Sequence, residues 1–138
     1  MQPSKPEHLR HGQEAEDKAC ALLRSKGFVI LARNVSYRVG EIDIIAKDGS
    51  VLCFVEVRSR NTAHFGTPQA TIRNDKQARL IKAAALYLKQ NGGPLPFCRF
   101  DVVAITGYAD TAKIEHIPNA FEMPISPRSR RGSPWQAY

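Results

Sequence analysis

The sequence predicts a single small α/β domain, in which a mixed sheet is flanked by helices in the order α-β-β-β-α-β-β. The chain has 138 residues, of which 43% are hydrophobic and 24% charged, and this suits one globular domain with a hydrophobic core. Two segments have helical periodicity, and short runs of β-branched and apolar residues lie between and after them. An Asp-Gly step between two of these runs predicts a β-hairpin.

The elements follow from local patterns in chain order. The first helix is predicted over residues 12–26, with Ala15 and Ala19 on its apolar face and Gly27 as a C-terminal cap. Polar and Pro- or Gly-containing stretches predict loops over residues 34–39 and 59–71, and Asn119 to Phe121 predict one short turn. The remaining predictions are strands at 28–32, 41–46, 51–58, 100–105 and 113–117, the last of them a candidate edge strand, and a second helix at 72–89.

The two ends of the chain differ in composition from its centre. Residues 1–11 are polar and contain proline, which predicts a flexible N-terminal arm. Residues 122–138 combine prolines with Arg128, Arg130 and Arg131, and this composition favours a disordered basic tail. The folded domain is therefore expected over residues 12–121.

Location is predicted from the absence of two kinds of apolar segment in the sequence. No apolar run approaches the roughly 18 residues that a membrane span needs. The N-terminus has no apolar segment behind its charges, so a secretory signal is not expected. These features predict a cytoplasmic protein without a membrane partner. The cysteines Cys20, Cys53 and Cys98 are expected to be buried reduced thiols, because their number is odd and no CxxC pair is present.

The net charge favours a polyanionic partner. Twenty Lys and Arg residues against 13 Asp and Glu residues leave a formal charge of +7. In a domain of this size such an excess points first to nucleic acid and second to acidic membrane surfaces.

The predicted hairpin collects acidic residues on one side. If Asp48-Gly49 closes a two-residue turn, Asp43 faces Phe54 and Glu41 faces Glu56. Residues that pair across strands share a face. Arg58, two positions beyond Glu56, belongs to the same face because side chains alternate along a strand.

Such a cluster is unfavourable unless a cation compensates it. Two carboxylates about 5 Å apart repel by roughly 3 kcal/mol at an effective dielectric constant near 20. Oxygen ligands from two carboxylates and a backbone carbonyl suit Mg²⁺ or Mn²⁺, and such an ion can activate water against a phosphodiester. The alternative is an ordinary solvated face, on which Glu41 forms an ion pair with Arg58 or Arg38.

These motifs resemble the signature of the YraN-like family, whose members are small bacterial proteins similar to archaeal Holliday-junction resolvases and to the restriction-endonuclease superfamily. The resemblance covers about residues 12–121. It rests on Gly40 to Ile45 and Phe54 to Arg60, and it continues in Gly12, Glu16 to Ala19, Gly27, Arg33-Asn34, Phe65-Gly66, Lys76, Arg99 to Val103 and His116 to Phe121.

The resemblance implies a restriction-endonuclease-like αβββαβ core and a metal-dependent endonuclease. By this likeness Asp43 and Glu56 bind Mg²⁺ or Mn²⁺, Val57 contributes its carbonyl, and Glu16 completes the acidic cluster. The alternative for Glu16 is a first-turn acid that the helix dipole favours. Resemblance to resolvases also suggests a homodimer that acts on DNA, which is expected more than RNA, and branched DNA in particular.

One position departs from the superfamily pattern, because Arg58 stands where a lysine is expected. Arginine can clamp a phosphate but stays protonated, so it cannot assist the attacking water as a base. The departure keeps two alternatives open, a non-catalytic nucleic-acid-binding module and a protein–protein adaptor in DNA repair, recombination or uptake. Further contacts to nucleic acid are expected from Lys76 and Gln77 at the start of the second helix, where a solvated basic face is equally consistent, and from Arg60.

Overall fold

The computed structural model describes residues 7–60, 72–107 and 109–121, and the side chains of these residues except 7–11 and 109. Two helices and five strands account for most of this part of the chain. They are α1 (Glu7–Ser25), β1 (Val29–Tyr37), β2 (Gly40–Asp48), β3 (Val51–Arg60), α2 (Asn74–Asn91), β4 (Phe97–Thr106) and β5 (Lys113–Phe121), with a short 3₁₀ turn at Ala109–Thr111.

The strands form one sheet in the order β1-β2-β3-β4-β5. The β1–β2, β2–β3 and β4–β5 pairs are antiparallel, whereas β3 and β4 are parallel. Parallel neighbours need a crossover connection, and α2 lies in the segment that connects them. The predicted α/β class, the αβββαβ order with a mixed sheet, and the edge position of the last strand are thus confirmed.

One helix covers each face of the sheet. Strand β3 shows this most clearly, since its side chains alternate between the two layers. Cys53 and Val55 pack in a buried cluster with Ala19 and Leu23 of α1. Leu52 and Phe54 pack in a second cluster with the α2 residues Leu80, Ala83, Ala84 and Leu88. The three cysteines are buried and free, as expected.

The β2–β3 hairpin has a different register from the predicted one. Its two-residue loop is Gly49–Ser50, so that Asp48 pairs with Val51 and Ile45 pairs with Phe54. The prediction that Asp43 faces Phe54 was wrong by two positions. Gly49 has φ of +61°, which glycine adopts without steric cost and which places the turn one residue later. A shift of two positions moves each partner along the strand but keeps every side chain on its face.

Several element boundaries were wrong, and for β1 and β5 the reason is that strand pairing extends beyond the local apolar runs. Helix α1 begins at Glu7, so residues 7–11 are helical rather than part of an arm. Strand β1 continues to Tyr37, which pairs with Gly40, and the predicted loop shrinks to two residues. The predicted turn at Asn119 to Phe121 is the end of β5. The predictions for 1–6, 61–71 and 122–138 lie outside the described residues.

Candidate metal centre

Asp43 and Glu56 meet where β2 and β3 separate. The regular pairing of the two strands runs from Asp48↔Val51 to Ile44↔Val55. At the next position on β2, Asp43 uses its side chain instead, and its Oδ2 accepts a hydrogen bond of 2.9 Å from the Val57 amide. The carboxylate of Asp43 is thereby held against β3, next to Glu56.

The two acids open into a pocket between the hairpin and α2. The pocket has a volume of about 270 Å³, enough for an ion with several waters or for one phosphate group. Its lining within the described residues is Gly40, Glu41, Asp43, Glu56, Lys76, Arg79 and Leu80. The predicted clustering of Glu41, Asp43 and Glu56 on one side of the hairpin therefore holds in spite of the altered register.

The electrostatics of the pocket are unfavourable for the two acids alone. Burial raises the pKa of Asp43 to about 8, and the neighbouring negative charge of Glu56 acts in the same direction. The hydrogen bond from Val57 opposes these effects but does not outweigh them. Glu56 is itself only 5% exposed. Near neutral pH the metal-free site therefore retains a proton on Asp43.

Lys76 places a positive charge next to Glu56 in the pocket. Its Nζ lies 2.5 Å from Oε1 of Glu56, and its side chain remains 37% exposed while that of Glu56 is 6% exposed. The residue belongs to the first turn of α2. Lys76 was predicted as a contact for nucleic acid, and the structure places it on a member of the acidic pair.

The donor set fits a hard divalent cation. The half-buried Asp43 and the buried Glu56 repel each other, and an ion bound through their oxygen atoms would relieve that repulsion. The N–H and C=O of a strand residue point toward the same neighbouring strand. Because the Val57 amide donates to Asp43, the carbonyl of the same residue is expected on the side of β2, and its role as a ligand stays a prediction. Among the described side chains, no three His, Cys, Asp or Glu residues are arranged so that they could hold a metal ion together, so waters would complete the coordination.

Glu16 is not among the described residues that line the pocket, and its predicted place in the acidic cluster stays a prediction. It lies on α1, next to residues that pack on the opposite face of the sheet. Burial raises its pKa, while Arg33 and a hydrogen bond from Asn34 oppose that rise. Its charge contributes to the raised pKa of Asp43, but as the smallest of the causes. Oε1 of Glu16 is buried without a hydrogen-bond partner among the residues that the structure describes.

The arginines predicted for phosphate contact lie beyond the pocket. Arg58 and Arg60 follow Glu56 at intervals of two on β3, so alternation places them on its face. Both side chains are half-buried, and neither is among the described residues that line the pocket. Gln77 has a local role, since its Nε2 donates to the Ile72 carbonyl at 3.1 Å. Contact of these residues with nucleic acid stays a prediction.

Gly40 was not predicted to shape the site. A Cβ atom at this position would lie 3.1 Å from the carbonyl oxygen of Arg79. The missing side chain therefore lets α2 approach the hairpin closely enough for Lys76 to reach Glu56. The glycine is visible in the sequence, but the helix that it faces is 39 positions away and could not be inferred from it.

A second buried acid, Asp101, has a different environment on the α1 face of the sheet. Its carboxylate accepts hydrogen bonds from Arg99 Nε at 2.8 Å, Arg99 Nη2 at 2.9 Å, His116 Nε2 at 2.8 Å and the Asn119 amide at 3.0 Å. Lys26 Nζ lies 2.6 Å from His116 Nδ1. With Lys26 donating to Nδ1, the ring proton belongs on Nε2, where it is donated to Asp101.

The net effect on Asp101 is the reverse of that on Asp43. Burial alone would raise the pKa of Asp101, but hydrogen bonds from His116, Arg99 and the Asn119 amide outweigh it and lower the pKa. The sequence had shown Asp101 and His116 only as parts of motifs. Their pairing depends on the β4–β5 register, in which Val103 faces His116.

The fold and this site define an α/β protein consistent with a restriction-endonuclease-like core, with an acidic pair where β2 and β3 separate. The model of uncharacterised protein family UPF0102 matches residues 15–105. A UPF0102 protein of Chlorobium phaeobacteroides is 44% identical over 116 residues, which are 80% of this chain and 92% of that protein. A UPF0102 protein of Symbiobacterium thermophilum is 45% identical over 113 residues, or 81% of this chain and 96% of that protein. The chain belongs to the UPF0102 family, the YraN family that its motifs resemble.

One further finding concerns membranes. Within the described ranges, no helix is both long enough and apolar enough to cross a bilayer.

Proposed function

We propose that this protein is a metal-dependent endonuclease that hydrolyses phosphodiester bonds of DNA. The observation that carries the proposal is the pair formed by the half-buried Asp43 and the buried Glu56, which lines one pocket together with Lys76 and Arg79. A stable fold gains nothing from two neighbouring carboxylates withdrawn from water, one of which has its pKa raised to about 8. A site that binds Mg²⁺ or Mn²⁺ through the acidic residues and then a phosphate through the basic ones accounts for the presence of both kinds of residue in the pocket.

In this proposal some residues of the pocket bind the ion, and others bind the substrate phosphate. Asp43, Glu56 and the Val57 carbonyl would bind Mg²⁺ or Mn²⁺, which when bound supplies a nucleophilic water and charge neutralisation at the phosphate. The Val57 amide orients Asp43 through its hydrogen bond. Arg79 is 60% exposed at the rim and is available to a substrate phosphate, as an ion pair of 3.5 Å with Asp75 costs little to break. Glu16 acts through its charge on Asp43.

The rest of the proposal concerns affinity and assembly. The net charge of +7 supports binding to a polyanion, and binding should weaken steeply with salt. Arg58, Arg60 and Gln77 would contact the phosphates outside the pocket. Because one subunit has one acidic pair among its described residues, cutting both strands of a branched DNA calls for a homodimer. A cytoplasmic location is part of the same proposal.

The experiment is a cleavage assay on labelled duplex, single-stranded and four-way-junction DNA with Mg²⁺, Mn²⁺ or EDTA. We expect metal-dependent cleavage by the wild type and a rate at least about a hundredfold lower for Glu56→Gln, which keeps the shape of the side chain but removes the charged ligand. Glu115→Gln, an exposed residue on β5, is the matched control and should cleave at the wild-type rate. Absence of cleavage by the wild type under every metal would refute the nuclease, and equal cleavage by the Glu56 variant and the wild type would refute the acidic pair as its site.

One observation favours a second candidate, a module that binds nucleic acid without cutting it. Arg58 occupies the position of the lysine that the superfamily resemblance implies, and it cannot accept a proton. This candidate predicts salt-sensitive DNA binding that survives Asp43→Asn, with no cleavage under any metal. The same assay therefore separates the two.

A further inference from the structure

A lysine lines the pocket, but it comes from helix α2 and not from strand β3. Arg58 occupies the position on β3 at which the superfamily pattern has a lysine, and it is not among the described residues that line the pocket. Lys76 does line it, and this residue comes from the first turn of α2. The question is what its ammonium group does there in a site proposed to bind a divalent cation.

The ammonium of Lys76 is close enough to Glu56 to compete with an ion. The 2.5 Å distance from Nζ to Oε1 is that of a direct ion pair, and the Glu56 end of the pair is buried. A metal ion bound through the same oxygen atom would be held at about 2.1 Å from it for Mg²⁺. An ion that binds the lone pairs of Oε1 now directed at the ammonium would displace Lys76 from that position.

The side chain of Lys76 has room to move away from Glu56 and remain in the pocket. Its side chain is 37% exposed and has a flexible four-carbon stem. The backbone of α2 passes close to Gly40 at Arg79. Lys76 and Arg79 both line the pocket, so an ammonium released from Glu56 stays within reach of a phosphate bound there.

We infer that Lys76 is a displaceable cation of the metal centre, which holds Glu56 in the metal-free protein and contacts the substrate phosphate once a divalent ion has taken its place. This inference rests on the proposed function, because it assumes that Asp43 and Glu56 bind the ion. It assigns to a helix residue the phosphate contact that the superfamily pattern puts on the strand. It also makes metal binding weaker than the acidic pair alone would allow.

The test exploits two effects of opposite sign. Isothermal titration with Mn²⁺ should show roughly tenfold tighter binding to Lys76→Met than to the wild type, equivalent to about 1.4 kcal/mol, since the competing charge is gone. At saturating Mn²⁺ the same variant should cleave DNA at least tenfold more slowly, since the phosphate contact is lost. Lys89→Met, an exposed lysine in the last turn of α2, should match the wild type in both measurements.

A third variant guards against a merely structural effect. Lys76→Arg keeps a cation on Glu56, so its Mn²⁺ affinity should stay close to that of the wild type. Tighter Mn²⁺ binding by both Lys76 variants would indicate a disturbed helix and would overturn the inference. So would unchanged or weaker binding by Lys76→Met, or unchanged cleavage at saturating metal.

Failure of the proposed function would look different. If Asp43→Asn and Glu56→Gln bind Mn²⁺ as well as the wild type does, the acidic pair is not the metal centre, and both proposals fall. If these two variants lose Mn²⁺ while Lys76→Met shows no gain, the metal centre stands and the displaceable lysine is refuted.

Discussion

Two neighbouring strands at the centre of the sheet each bury an acidic residue, Glu56 on β3 and Asp101 on β4. In the parallel register Glu56 pairs with Val102 and Asp101 pairs with Val55, so the two acids lie one residue apart along adjacent strands. They point to opposite faces. On the α1 face Asp101 has four hydrogen bonds, three of them from Arg99 and His116. On the α2 face Glu56 has Lys76 on one side and a second acid, Asp43, on the other.

The two acids thus have different surroundings. Asp101 is buried, but the hydrogen bonds that it receives keep its pKa below the ordinary value. Asp43 has one amide donor and a negative neighbour, and its pKa rises to about 8. Asp101 therefore has the partners of a structural acid, whereas the environment of Asp43 supports the proposed metal site.

The largest effect is expected from Asp101→Asn, which should lower the free energy of unfolding by about 3 kcal/mol. The substitution leaves the Arg99 guanidinium, whose side chain is 14% exposed, without its buried counter-charge. Urea unfolding at pH 7.5 in EDTA measures the loss, with the exposed residue Asp110→Asn as the control. A loss below about 0.5 kcal/mol, the range of surface substitutions, would mean that this network is not structural.

A slightly smaller effect is expected when Mn²⁺ is added to the wild type. An ion that binds the folded state alone should stabilise it by about 2.7 kcal/mol at one hundred times its dissociation constant. Urea unfolding with and without Mn²⁺ tests this, and Glu56→Gln should show no such gain. Equal stabilisation of the wild type and this variant would place the ion elsewhere.

The smallest effect has the opposite sign to the first. Asp43→Asn should raise the free energy of unfolding of the metal-free protein by about 1–2 kcal/mol at pH 8.5, because the repulsion from Glu56 disappears. The folded-state pKa of Asp43, about 8, lies above the ordinary value of 3.8. The folded state therefore holds a proton that the unfolded state has lost, and wild-type stability should fall as pH rises from about 4 through about 8.

Urea titrations of both proteins in EDTA across this pH range measure the effect. The Asn variant should lack this component of the pH dependence while it keeps that of the other groups. A wild-type curve that rises over the same range in parallel with that of the variant would show that Asp43 is ionised and satisfied, and the contrast with Asp101 would be lost.

Much of the fold could be predicted because it depends on patterns a few residues long. The Asp48-Gly49 step identified the hairpin, and alternation on β3 put Glu56 and Arg58 on one face. The prediction that Asp43 and Glu56 share one face was correct although the predicted strand register was wrong. The register error was two positions, and a shift of two keeps every side chain on its face. An error of one position would have separated Asp43 from Glu56, and local sequence offers no protection against it.

The sequence by itself determined the order of elements, the α/β class and the presence of two acids on one face of a hairpin. Each of these follows from periodicity, turn chemistry or side-chain alternation within one segment. Only the tertiary structure decided that Lys76 reaches Glu56, that Gly40 admits α2, and that Asp101 is enclosed by Arg99 and His116. These contacts join residues from different elements, and their free energies depend on burial and distances that exist only once the sheet and both helices have packed.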